Sequence, residues 1–292
     1  MRHTSGTFSC LREGEEMTGR DPNKKPEESS CAFIFSSGSI FNLTQLLSEM
    51  TERSVSHGAC TDLLFFYDRK PGNKALMERE KTFVVGDIHG CLDMLKRLLD
   101  IIPWRPGRDR LLFVGDCIDR GPHSRAVVDH ILGLIRMDPR VTCLLGNHES
   151  MLLDYLAGID PDLYIANKGI TTVRDYQSQH PAGRGGPLVP PDHMAFYRSL
   201  RPLMELDAYY VVHAGFRPGI AIERQSLEDM IWIREPFISS NYDFGKKVIF
   251  GHTPFPRPLR MENKIGIDTG AVYGNRLTCI ELPEERFYSV AP

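Results

Sequence analysis

Five apolar runs in this chain lead into a polar or charged residue that has a glycine close by. The first is Phe83-Val84-Val85-Gly86-Asp87-Ile88-His89-Gly90. The others lead into Gly115-Asp116-Cys117-Ile118-Asp119-Arg120-Gly121, Gly146-Asn147-His148-Glu149, Val212-His213-Ala214-Gly215 and Gly251-His252-Thr253. Glycine at such points lets backbone turn sharply or approach a ligand closely. Between the first runs lie stretches of helical periodicity. Leu92, Leu95, Leu98, Leu99 and Ile102 share one face before Pro103 stops the helix. Strands at Thr82–Val85, Leu111–Val114 and Val141–Leu145 thus alternate with helices at Leu92–Ile102, Ser124–Arg136 and Glu149–Leu156. That alternation implies parallel strands with right-handed crossovers, and function in the loops at their carboxyl ends.

The second half reads as mixed. Gly158–Pro191 is rich in Gly and Pro and reads as irregular, a loop of the kind that serves as a lid, a binding loop or a mobile segment. A helix is expected over Asp192–Leu200. After Pro202 come strands at Leu203–Asp207, Ala208–Val212, Lys247–Phe250, Lys264–Ile267, Leu277–Leu282 and Arg286–Val290, with a short helix at Ser226–Ile233. The expected architecture is a layered α/β domain over residues 77–292. Residues 1–76 read as a separate extension. Met1–Ser30 has the composition of disorder, Ile40–Met50 fits one amphipathic helix, and Leu63–Tyr67 is a short apolar run before a turn. The extension is either a docking arm or an over-extended start, with translation beginning at Met77.

A net charge of −3 and a pI near 6.4 give no electrostatic case for nucleic acid or an anionic membrane as partner. No apolar run is long enough to span a bilayer, and Met1–Cys10 lacks the apolar core of a signal peptide. Seven cysteines without a CxxC pair read as reduced thiols of a cytoplasmic protein.

The motif residues are ligand types. In an extended segment Asp87 and His89 project to one side and can grip one cation together. With Asp116, Asn147, His213 and His252 they make a set of oxygens and imidazoles without thiolate. A structural zinc site would favour local cysteine pairs. Oxygen and imidazole donors spread over several loops suit a catalytic pair of Mn, Fe or Zn ions. Asn147 and His148, as neighbours in an extended segment, should point opposite ways, which leaves His148 for acid–base work. Glu149 and Asp268 read as supporting residues, Cys91 and Cys117 as packing beside the site, and Tyr273 as facing either the substrate or the core. His3, His57, His123, His130, His180 and His193 lie outside the motifs and read as solvent-exposed.

G-D-x-H-G, G-D-x-x-D-R-G, G-N-H-E, H-A-G and G-H-T in this order resemble the signature of the metallophosphoesterases. The DRG form is similar to the phosphoprotein phosphatases. Trp232-Ile233-Arg234-Glu235 and Ile267-Asp268-Thr269-Gly270-Ala271 resemble the bacterial and phage branch of that family, typified by the bacteriophage lambda protein phosphatase. The resemblance runs from about Lys81 to the C-terminus. It implies a sandwich of two mixed β-sheets flanked by helices. It also implies that Asp87, His89 and Asp116 hold one divalent ion, and that Asp116 bridges to a second held by Asn147, His213 and His252. A hydroxide between the ions would attack phosphorus in line, without a phosphoenzyme. His148, oriented by Asp119, would serve the leaving oxygen, and Arg120 and Arg234 would clamp the phosphate. Two divalent ions outweigh two carboxylates and a hydroxide, so such a site suits a phosphate dianion. Arginine's forked donors match phosphate oxygens.

The activity implied is hydrolysis of phosphoserine and phosphothreonine in proteins, with Mn²⁺ as the expected metal. Symmetrical dinucleoside tetraphosphate hydrolases share the same cage and the Gly90-Cys91 continuation. A non-catalytic scaffold would not need every ligand and both arginines.

Overall fold

The computed structural model describes residues 79–178 and 186–292. The expected helix at Ile40–Met50, the run Leu63–Tyr67, the boundary at Met77 and three of the histidines (His3, His57 and His180) lie outside them.

Among the described residues, ten strands form two five-stranded sheets. In the first, β1 (Thr82–Val85), β2 (Arg110–Phe113) and β3 (Val141–Cys143) run parallel. The antiparallel pair β9 (Leu277–Leu282) and β10 (Arg286–Val290) extends it in the order β10-β9-β1-β2-β3. In the second, β5 (Tyr209–Val212), β6 (Lys247–Phe250) and β8 (Lys264–Gly266) are parallel. Its antiparallel edges are β4 (Leu203–Glu205) and β7 (Leu259–Arg260), in the order β4-β5-β6-β8-β7. The sequence gives no sign of β7, because two residues are too few to show a period.

Alternation along each strand sorts its side chains between two cores. Val84, Leu112, Val114 and Ile280 point inward and meet Val211, Ile249, Ile265 and Ile267 of the other sheet. Phe83, Val85, Leu111 and Phe113 point outward, onto helices α1 (Leu92–Ile101) and α2 (Ser124–Met137). The far face of the second sheet packs Val212, Val248 and Phe250 on Phe216, Phe237 and Phe244. Complete burial of each aliphatic residue contributes about 1.5–3 kcal/mol, so the two sheets are held firmly in register. The fold is therefore the expected sandwich of two mixed sheets flanked by helices.

Helix α3 (Asn147–Leu156) begins two residues earlier than the sequence suggests. The larger departure is in Gly158–Pro191. It contains helix α4 (Pro161–Ala166), capped by the Asp160 side chain on the Leu163 N–H, and helix α5 (Ile170–Ser178). Both are docked rather than loose. Tyr164 and Thr172 are fully buried, and the Arg125 N–H at the start of α2 donates to Asp175 Oδ2 of α5 at 2.8 Å. Helix α6 (Pro191–Ser199) follows, and α7 (Leu227–Trp232) precedes β6. His193 on α6 is buried, not exposed as expected. One ring nitrogen meets the Tyr176 hydroxyl at 2.7 Å and the other meets Asp129 Oδ1 at 2.9 Å, so both its polar atoms are satisfied. His130 is half-buried, and His123 is exposed. No helix among the described residues is long and apolar enough to cross a membrane.

Candidate metal centre

The carboxyl ends of β1, β2, β3, β5 and β6 meet where the two sheets face each other. This places all six expected ligands in one buried cluster, each at most 6 % exposed. The backbone there is strained. His89, Asp116, Asp119, Arg120 and His252 all have φ between 45° and 69°. Non-glycine residues adopt this region at a cost, and its concentration at one place marks a functional site. His89 is thus not in the extended segment that the sequence suggests. Close approach also fixes two glycines. A Cβ on Gly146 would lie 2.2 Å from Asp116 Oδ1, and one on Gly251 would lie 2.1 Å from Asp87 Oδ1.

Asp116 is the centre of the arrangement. Its Oδ2 faces His89 Nε2 at 3.5 Å, and its Oδ1 faces His213 Nε2 at 3.4 Å. The N-terminal turn of α3 donates the His148 N–H to Oδ1 at 3.1 Å. Donor atoms of His89, Asp116 and His148 lie within 4.8 Å of one another, as do those of Asp116, His213 and His252. Asn147 Oδ1 sits 3.0 Å from both His213 Nε2 and His252 Nδ1. Asp87 stands outside those two groups. Both its oxygens accept the His252 N–H, at 3.0 and 3.2 Å.

The three histidines share one logic. His89 Nδ1 contacts the Ile118 carbonyl at 2.7 Å, His213 Nδ1 the Val114 carbonyl at 3.0 Å, and His252 Nε2 the Trp232 carbonyl at 3.2 Å. A carbonyl can only accept, so each ring spends an N–H there and turns its other nitrogen toward oxygens of Asp116 or Asn147; that nitrogen is a lone pair in a neutral ring and a second N–H in His213 when the Asp116 charge keeps it protonated. Lone pairs converging on carboxylate and amide oxygens repel unless a cation lies among them. The donor set therefore fits divalent ions, and the carbonyl contacts are of the kind that orient metal-binding imidazoles.

The electrostatics agree. Burial, together with the Asp268 charge, pushes the Asp87 carboxyl well above the usual range. Burial lowers His89 to about 3 and His252 to about 2. It also pushes the Asp116 carboxyl up, but His213 and His148 outweigh it and hold that group well below normal. His213 reaches about 9 because the Asp116 charge and hydrogen bond overcome its burial. Without metal, His213 and Arg120 are the positive groups that act on these carboxyls.

The surrounding shell is complete. Glu149 accepts from the Asp116, Cys117 and Gly146 N–H groups at 2.9, 2.7 and 3.1 Å, and burial raises it to about 7. Asp268 accepts the Gly270 N–H at 2.9 Å, and burial raises it to about 6. These are the supporting roles expected of them. Cys117 packs in the core with its sulfur 3.4 Å from that of Cys143.

Asn147 and His148 diverge, but not as neighbours in an extended strand. They are the first two residues of α3, where successive side chains point about 100° apart. His148 is fully buried. Its Nδ1–H donates to Asp119 Oδ2 at 2.7 Å, and its Nε2 has no hydrogen-bond partner among the described residues. Arg120 contacts His89 Nε2 through Nη1 and lies 5.7 Å from the ring centre of Tyr273, which is 62 % exposed. Arg234 is exposed and donates to the His252 carbonyl at 3.4 Å. Sequence reasoning missed the residues around Asp119: Tyr164, Thr172 and Ser124 reach it from three helices. The segment of Tyr164 and Thr172 carried no motif, and only the Asp160-Pro161 helix start could have flagged it.

Residues 81–277 match the calcineurin-like phosphoesterase family. The chain is 33% identical over 202 residues to serine/threonine-protein phosphatase 1 of Salmonella typhimurium, covering 68% of this chain and 89% of that protein. It is 28% identical to the asymmetrical bis(5'-nucleosyl)-tetraphosphatase PrpE of Bacillus thuringiensis, covering 72% and 94%. A solved structure provisionally described as a diadenosine tetraphosphatase superposes with a TM-score of 0.59 at 24% identity, covering 74% of this chain and 95% of that one. At that identity the likeness speaks of fold alone.

Proposed function

This chain belongs to the calcineurin-like phosphoesterases, and on that premise we propose that it is a metal-dependent phosphomonoesterase acting on phosphoserine and phosphothreonine in proteins. The carrying observation is His148, a buried histidine with one nitrogen on Asp119 and the other without a partner, beside the Asp116 cluster. A side chain buried this way, with an unsatisfied nitrogen, is held for a reacting group.

Asp87, His89 and Asp116 would hold one divalent ion, and Asp116, Asn147, His213 and His252 a second. Asp116 is suited to join them, since its two oxygens face different histidines. Bound there, the ions would polarise phosphoryl oxygens and acidify water, and Mn²⁺ is the metal that we assign. Arg120 offers a forked pair of donors to phosphate, steadied by the Tyr273 ring, and Arg234 offers another from the α7 side. His148 Nε2 would give its proton to the departing serine or threonine oxygen, while Asp119 keeps the other proton on Nδ1. The greater likeness to a serine/threonine phosphatase supports the protein substrate.

A second reading, hydrolysis of dinucleoside tetraphosphates, is favoured by Tyr273, an exposed ring beside Arg120 on which a base could stack. Protein stripped with chelator and reloaded with Mn²⁺ should hydrolyse a phosphothreonine peptide in preference to diadenosine tetraphosphate, and Asp87→Asn should lose that activity. The reverse preference would move the function to nucleotides. Equal inactivity toward both, with metal bound, would leave the chain a scaffold.

A further inference from the structure

Asp119 is held by more than His148. Tyr164 on α4 donates its hydroxyl to Asp119 Oδ1 at 2.8 Å, and Thr172 on α5 donates to the same oxygen at 2.5 Å. The Asp119 N–H in turn donates to Ser124 Oγ at 3.0 Å and to Thr172 Oγ1 at 2.9 Å. Oδ2 is left for His148. Asp119, Ser124, His148, Tyr164 and Thr172 are all fully buried.

The Tyr164 ring cannot swing away. A Cβ on Gly169 would lie 2.4 Å from it, so the backbone of the α4–α5 turn presses on its edge, and Tyr155 packs at 5.1 Å between ring centres. Burial and the Asp119 charge push the phenol up, which keeps its proton available for donation. Asp119 sits at φ 69°, a strained conformation that surrounding contacts must impose.

Resting on the proton-donor reading of His148, we propose that Tyr164 and Thr172 are positioning residues for turnover. From the α4–α5 segment they clamp Asp119 Oδ1, so that Oδ2 stays aimed at His148 Nδ1 and His148 Nε2 stays aimed at the leaving oxygen. The segment is then a fixed brace behind the acid, and it acts on chemistry without touching substrate. An unclamped carboxylate could rotate and accept from other groups, which would loosen the imidazole whose proton the leaving group needs.

The test exploits the leaving group. A serine or threonine alkoxide needs a proton as it departs, whereas a nitrophenolate does not. Tyr164→Phe should lower kcat on a phosphothreonine peptide about tenfold, the effect of losing one hydrogen bond to a charged group. It should leave 4-nitrophenyl phosphate turnover within about threefold, and KM for both nearly unchanged. Thr172→Val should act the same way, and Thr172→Ser should restore turnover. Tyr176→Phe is the control, since it removes a buried hydroxyl from the Tyr176–His193–Tyr197 contacts without touching Asp119. A second readout is independent of turnover. In metal-free, ¹⁵N-histidine protein, the deshielded Nδ1–H signal assigned to His148 should broaden or move in Tyr164→Phe and persist in Tyr176→Phe.

Equal losses on both substrates, an unchanged His148 signal, or the same loss in Tyr176→Phe would overturn the clamp. His148→Asn run on the same substrate pair separates the two ideas. If it spares the peptide, the proton-donor reading fails and takes the clamp with it. If it selectively abolishes peptide turnover while Tyr164→Phe does nothing, the clamp alone fails.

Discussion

At the level of single residues, what each buried polar atom faces decides its role. His148→Asn can keep an N–H donor toward Asp119 and removes Nε2 with its proton. Peptide turnover should fall by about a hundredfold or more, while metal content stays the same. Measuring kcat and bound metal on one sample checks both halves, and a loss of metal instead would make His148 a ligand. That these six residues belong together was legible because each sits at the end of an apolar run with a glycine within two positions, a local pattern of types and spacing. What was not legible is how they are held. That His89, His213 and His252 each lean on a backbone carbonyl depends on backbones far away in sequence, such as Val114 beneath His213. The burial of His193 escaped notice for the same reason, since Asp129 and Tyr176 come from other helices.

At the scale of the element, strands were read better than the connections. Lys247–Phe250, Leu277–Leu282 and Arg286–Val290 lie where the sequence reading puts them, because a strand buried in a sandwich is written as a short, mostly apolar run. Helices α4 and α5 were hidden. The first has six residues and the second nine, Gly158 and Gly169 punctuate them, and their buried faces are mostly polar contacts rather than an apolar stripe. Another element-level device is Lys264 on β8. Its side chain is fully buried, donates to the carbonyls of Phe237 and Ser240, and lies 4.4 Å from the centre of the Phe237 ring. It thereby ties the segment that follows Arg234 to the second sheet. Lys264→Met would leave those carbonyls unpaired. It should cost about 1–3 kcal/mol in urea unfolding of the metal-free protein and weaken inhibition by inorganic phosphate. Unchanged phosphate inhibition would separate the anchor from the Arg234 clamp.

At the scale of the whole molecule, two sheets each bring strand ends to one buried cluster, so the metals would tie the halves of the sandwich together. Binding to the folded state alone stabilises it, by about 2.7 kcal/mol when free metal is a hundred times Kd. Adding Mn²⁺ to stripped protein should therefore raise the melting temperature by roughly 5–10 °C for each site filled in a domain of this size, and should do so far less in Asp116→Asn. Substrate choice is the part least written in the fold, because sequence relatives of this chain carry both phosphatase and tetraphosphatase names.

The most direct test of the centre itself is metal stoichiometry by plasma mass spectrometry after equilibrium dialysis against Mn²⁺, on wild type and Asp116→Asn. Two equivalents per chain are expected in wild type, and one or none in Asp116→Asn because both sites lose a shared carboxylate. One equivalent in wild type, or two retained in Asp116→Asn, would contradict that expectation.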